Sequence, residues 1–112
     1  MTHTQLLLNS GYQKQDLLDL CDIFEDQIQH FQAIYQSLDV INLANQIHKL
    51  VGGCKLLQFI DVAEQLSILE KNLKQKQQLT EKELDITRIK ISELMGVLVS
   101  TTVLFKTEIN SL

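Results

Sequence analysis

The sequence predicts an all-α protein, an antiparallel four-helix bundle preceded by a short leading helix or ordered arm. Three observations predict it. The 112 residues contain no proline, a residue that loops and sheet edges use and helix interiors exclude. Aromatic residues make up only 5% of the chain, few for a β-sandwich, whose strands favour them. Apolar residues recur three and four positions apart over long stretches, one per helical turn. At 45% hydrophobic the chain can bury a core and is too apolar for a disordered tail. Its length suits one domain.

Residues 1–15 form the leading arm or helix, an apolar knot at Leu6, Leu7 and Leu8 ended by the breaker pair Ser10-Gly11. The bundle occupies residues 16–112. Its first helix, residues 16–37, carries Leu17, Cys21, Phe24, Ile28, Phe31, Tyr35 and Leu38 at alternating spacings of four and three. The same stripe would suit a coiled-coil dimer, but the aromatics in so short a seam favour the core of a bundle, and hence a monomer. The second helix starts at the N-cap Asp39 and runs to about Leu57, with Val40, Leu43, Ile47, Leu50, Cys54 and Leu57 as its stripe. The third opens on Asp61-Val62-Ala63-Glu64, which has capping-box spacing, and ends in the Lys-Gln run at 74–78. The fourth opens on a second box, Thr80 to Glu83, and continues through Ile109. Val97 to Phe105 is strand-like by propensity, but a lone strand would have no partner, so it is read as a well-buried helix end.

Composition excludes several functions. A net charge of −4 lacks the basic footprint of a nucleic-acid-binding protein. No charge-free apolar stretch reaches the roughly 18 residues of a membrane span. The first fifteen residues lack the pattern of a signal peptide, so a cytoplasmic location is expected. There, Cys21 and Cys54 are expected to be reduced and buried rather than paired.

One segment departs from good helix chemistry. Ile47-His48-Lys49-Leu50-Val51-Gly52-Gly53-Cys54-Lys55 places two glycines inside the second helix, each costing about 1 kcal/mol relative to alanine. On a helical wheel of about 100° per residue, Leu43, Leu50, Val51 and Cys54 cluster with Ile47 on the core side. His48 falls on the shoulder between core and water, with Gly52 one turn beyond it and Lys55 two turns beyond. Such an imidazole is open to a large partner, and a side chain at position 52 would stand in the approach. The plainer alternative is a boundary histidine with glycines that let helices pack closely. A metal site built on His48 and Cys54 is disfavoured, because the two point about 120° apart and no further ligands cluster with them.

His48, Leu50, Gly52, Gly53 and Cys54 match the motif of the histidine phosphotransfer (HPt) domain, the phosphorelay module of two-component signalling, and the chain resembles that family from roughly Leu6 to the last helix. Only residues 44–74 carry specific matches. In many members an acidic or amide residue and then a basic one face the histidine; Glu70 and Lys74 stand at the matching spacings, 22 and 26 residues after His48. Two positions depart from the pattern. Val51 stands where many members have a lysine, which leaves Lys49, Lys55 or Lys74 to supply positive charge. Gln58 stands where many have a helix-ending glycine.

The resemblance implies a phosphocarrier that takes a phosphoryl group on His48 from a receiver-domain aspartate and passes it to a response regulator. The partners would be receiver domains of response regulators and of a hybrid sensor histidine kinase. The chain would need no cofactor or metal of its own, since Mg²⁺ would come with the receiver. It would lack ATP-dependent kinase activity, and it would act free in the cytoplasm or as the cytoplasmic end of a membrane-bound hybrid kinase. Lys49, Gly52, Lys55, Glu70 and Lys74 would stabilise the phosphoryl group or admit the partner, and Ile41, Ala44 and Asn45 would form a docking patch. For Ile41 and Ala44 the alternative is the outer edge of the core. Local charge agrees with this reading: residues 45–80 carry five lysines against three acids, residues 1–44 one against six. Two other readings compete. A non-phosphorylated helical adaptor leaves the glycine pair unexplained. A kinase phosphoacceptor region usually has an acid after its histidine and a proline in that helix, where this chain has Lys49 and no proline. Nor is there a phosphate-cradling loop.

Overall fold

A computed structural model describes residues 7–8, 10–75 and 79–112. Four helices run α1 (Lys14–Ile34), α2 (Val40–Leu56), α3 (Ile60–Gln75) and α4 (Glu81–Asn110), with a 3₁₀ turn at Tyr35–Ser37 extending α1. They pack as an up-down-up-down ring, α1 against α2 and α4, α3 against α2 and α4. The molecule measures 48 × 23 × 17 Å, and the long dimension is that of α4, whose 30 residues span about 45 Å at 1.5 Å per residue.

The expected stripes form the core, except that Leu38 and Val40 are half-buried at its edge. Leu17, Cys21, Phe24, Ile28, Phe31 and Tyr35 of α1 are buried, as are Leu43, Ile47, Leu50, Cys54 and Leu57 of the α2 stripe. Both thiols are free and fully buried. Burial pushes Cys21 up to about 11 and Cys54 up to about 12, so neither is a nucleophile at neutral pH. Phe59 joins the helices through its ring, 6.3 Å from Phe24 and 5.5 Å, edge-on, from Phe105. Such pairs contribute about 0.5–1.5 kcal/mol each beyond the area they bury.

The caps are partly as expected. Asp39 Oδ1 accepts from the Asn42 N–H at 2.8 Å, and Thr80 Oγ1 accepts from the Glu83 N–H at 3.1 Å. α3, however, begins at Ile60, so Asp61 lies inside the first turn rather than at the cap. The reason is how α2 ends. Phe59 N–H donates to Cys54 O at 2.7 Å and Gln58 N–H to Lys55 O at 3.1 Å, the paired bonds of a Schellman motif. Phe59 therefore serves both helices: it closes α2 through its N–H, and its C=O accepts the first bond of α3 from the Ala63 N–H at 3.0 Å.

Two further expectations concern the leading arm and the end of α4. The leading helix or arm falls partly on residues 1–6 and 9, which lie outside the described residues, as does the part of the Lys-Gln run at 76–78. Leu7 and Leu8 are helical, Leu7 is in the core, and Gly11 turns the chain at φ 99°. The end of α4 is not buried all round. Leu98, Thr102 and Phe105 face the core, but Val97, Val103 and Leu104 are 50%, 53% and 70% exposed. A helix at the corner of a ring meets neighbours on one side only, so a run that is apolar all round must leave half of itself in water.

Candidate functional site

α2 and α3 form an antiparallel hairpin about Gln58, and that geometry brings His48 and Glu70 together, ten residues before the turn and twelve after it. Ile47 and Leu50 fix the rotation of α2, and Leu66, Leu69 and Leu73 that of α3. His48 and Glu70 are thereby set on facing shoulders. The His48 side chain is 71% exposed, that of Glu70 14%.

The contact is bidentate in distance: His48 Nδ1 lies 3.1 Å from both Glu70 Oε1 and Oε2. Lys74 Nζ, one turn beyond Glu70, donates to Oε2 at 2.7 Å. Burial pushes the Glu70 carboxyl up, but hydrogen bonds from Lys74 and His48 and their positive charge outweigh it and hold it below the usual carboxylate range. An ionised carboxylate only accepts, so Nδ1 carries the hydrogen, and in the neutral ring Nε2 holds the lone pair. Nε2 has no partner among the described residues and belongs to an exposed side chain.

Beside the ring the helix surface is bare. Among the described residues, a Cβ built on Gly52 would meet nothing within 4 Å beyond its own helix backbone and chain neighbours, whereas one on Gly53 would overlap the Phe24 ring and come within 3.3 Å of Gln27 Oε1. Close helix packing therefore accounts for Gly53 and leaves Gly52 unexplained.

The other named residues divide. Lys55 is exposed on α2, and Lys49 turns to the opposite shoulder, where it lines a small α1–α2 groove with His30 and Gln46. Neither makes an ion pair among the described residues, so Lys74 alone of the three lysines is tied to the histidine's partner. Val51 is 5% exposed and has no room for a cation. Ile41, Ala44 and Asn45 line a groove of about 480 Å³ that Leu73 and Lys74 close on the α3 side. Ile41 is 73% exposed, but Ala44 is buried at 2%, so Ala44 forms the groove floor and belongs to the core. The sequence reading missed Leu73 as a groove wall. The spacing of Leu66, Leu69 and Leu73 marks only a core face, and nothing in the sequence signals the second role.

Among the described residues no group of three His, Cys, Asp or Glu side chains is placed to hold a metal ion, and no helix is long and apolar enough to cross a membrane. Compared with family models, curated proteins and solved structures, the chain finds no match in any of the three.

Proposed function

We propose that the chain is a phosphorelay carrier: His48 accepts a phosphoryl group from a receiver-domain aspartate and passes it to a response regulator. The observation that carries this reading is the placement of the imidazole. Its Nδ1 lies 3.1 Å from both oxygens of Glu70, which leaves Nε2, on an exposed side chain, without a partner among the described residues and one helical turn from the bare Gly52.

In the transfer, the Nε2 lone pair attacks phosphorus in line with the acyl-phosphate oxygen. The N–P bond forms as the P–O bond breaks, and the bonding pair leaves with the aspartate carboxylate. The ring becomes cationic with its Nδ1 proton still in place, and Glu70 is positioned to stabilise that charge. Lys74 keeps Glu70 ionised and oriented. Positioning and electrostatics make up most of what a protein contributes to such a transfer. The receiver brings the Mg²⁺, and no step needs ATP on this chain. The groove at Ile41, Ala44 and Asn45, beside the histidine, suits docking of a receiver domain. The cytoplasm is the setting for this chemistry.

The test is transfer from a receiver domain charged with acetyl phosphate, followed by ³¹P NMR of this chain and of His48→Ala. An acid-labile, alkali-stable phosphoramidate signal, lost in the variant, is the expected result. A folded helical sample that accepts nothing from several unrelated receivers would overturn the reading in favour of a helical adaptor.

A further inference from the structure

Phosphoryl transfer at His48 makes no use of the far side of α3. There, between α3 and α4, lie two cavities of about 560 and 420 Å³ that share Gln65 and Val97 and so form one continuous groove. Its floor is core: Phe59, Val62, Leu69, Leu94 and Phe105 are all buried. Its rims are apolar and exposed, Ile60 (48%) and Ile68 (58%) on α3, Val97 (50%) and Leu104 (70%) on α4. Single exposed apolar residues are ordinary on a protein surface, but four around one groove mark an interaction site.

The walls decide the shape of the occupant. Both are helices, whose backbone N–H and C=O groups are paired within the helix, so no edge is offered to an extended peptide. An occupant pressed into an apolar groove must satisfy its own backbone, as a helix does. From Lys90 to Leu104 the groove runs about 21 Å, roughly four helical turns. On each wall the exposed residues are about two turns apart, the spacing at which a third helix presents anchors at i, i+3, i+4 and i+7.

Charge decides its composition. Asp61, Glu93 and Glu108 line the groove against one cation, Lys90. A second copy of this chain would bring the same carboxylates to the contact, and an anionic lipid surface would be repelled. We infer that the α3–α4 groove is a docking surface for a basic amphipathic helix of a partner protein. Glu70 and Lys74 face α2 across the opposite shoulder of α3, so His48 stays open when the groove is filled. The inference does not depend on the role of His48.

The probe is a fluorescein-labelled peptide of about 14 residues, leucine at the anchor positions and lysine elsewhere, titrated against the whole chain by anisotropy. Binding is expected to saturate, to weaken with added salt, and to fall at least about tenfold in Leu104→Ser and in Ile68→Ser. Both positions are exposed, and circular dichroism confirms that each variant is folded. Binding to His48→Ala is expected to be unchanged. The inference is overturned if the peptide binds Leu104→Ser as it binds wild type, or does not bind at all. It is overturned equally if the glutamate counterpart binds as well as the lysine peptide. Sedimentation supplies a last outcome against it: a dimer abolished by Leu104→Ser would assign the groove to a second copy.

Discussion

On the side of α2 that faces α1, the Phe24 ring fills the space a Cβ on Gly53 would occupy; on the side that carries His48, nothing among the described residues beyond the helix's own backbone and the two adjacent residues lies within 4 Å of where a Cβ on Gly52 would stand. The two glycines are adjacent and carry the same helical cost, yet only one is answered by the fold. Gly53 lets α1 approach α2. Gly52 is matched by nothing among the described residues, and its open face adjoins the exposed His48 side chain one helical turn away. The contrast teaches that a costly residue is a sign of function only after packing has been subtracted.

The largest expected effect lies on the open face. Gly52→Gln is expected to slow phosphoryl transfer from a charged receiver by about tenfold to a hundredfold, because a long side chain there displaces the docked partner from in-line geometry. Its thermal stability is expected not to fall. Quench-flow transfer rates equal to wild type would break the comparison, since Gly52 would then be as free of function as it is of contacts.

The packed face is tested by stability. Gly53→Ala is expected to cost about 1–2 kcal/mol net, the strain of overpacking against Phe24 less the gain in helix propensity. Gly52→Ala, with nothing to strike, is expected to gain about 0.5–1 kcal/mol. Urea denaturation of both variants gives the sign directly. A stabilised Gly53→Ala would show that Phe24 yields without cost and that the two sites do not differ.

What the sequence could and could not disclose follows from the same distinction. Leu17, Cys21, Phe24 and Ile28 announce a buried face because burial on one side of a helix is written in spacing alone. The pairing of His48 with Glu70 was legible only through the resemblance and the two matching spacings. Other features depend on where a neighbour stands, and spacing does not carry that. Gly52 and Gly53 are indistinguishable until Phe24 is placed. Ala44 and Ile41 lie three residues apart on one helix, yet one is floor and the other rim. Val97 and Leu104 read as core by hydropathy, while the number of helices around α4 leaves them in water.

Gln58 sharpens the comparison from the turn that pairs α2 with α3. It stands where the resemblance expects glycine, and it adopts φ 64°, the left-handed conformation that glycine takes without penalty. Gln58→Gly is therefore expected to stabilise the protein by about 1 kcal/mol, read as a higher midpoint in urea, with transfer at His48 unaltered. A lower midpoint would mean that the Gln58 side chain contributes more than its backbone conformation costs.

The smallest effect is the most direct probe of the His48 side. Glu70 titrates below its ordinary value of 4.5 in the folded protein, held there by Lys74 and His48. A depressed carboxyl adds stability that is complete above the unfolded pKa and disappears as pH falls through the folded one. The wild type is therefore expected to lose stability relative to Glu70→Gln between about pH 5 and pH 3, and Gly53→Ala, which leaves this cluster untouched, is expected to retain that acid-limb loss in full. The amide still accepts from Nδ1–H but carries no charge for Lys74 or for the ring. Parallel stability curves for wild type and Glu70→Gln through that window would mean that the carboxylate is not anchored by its two partners, and the orientation of the imidazole would then lack its support.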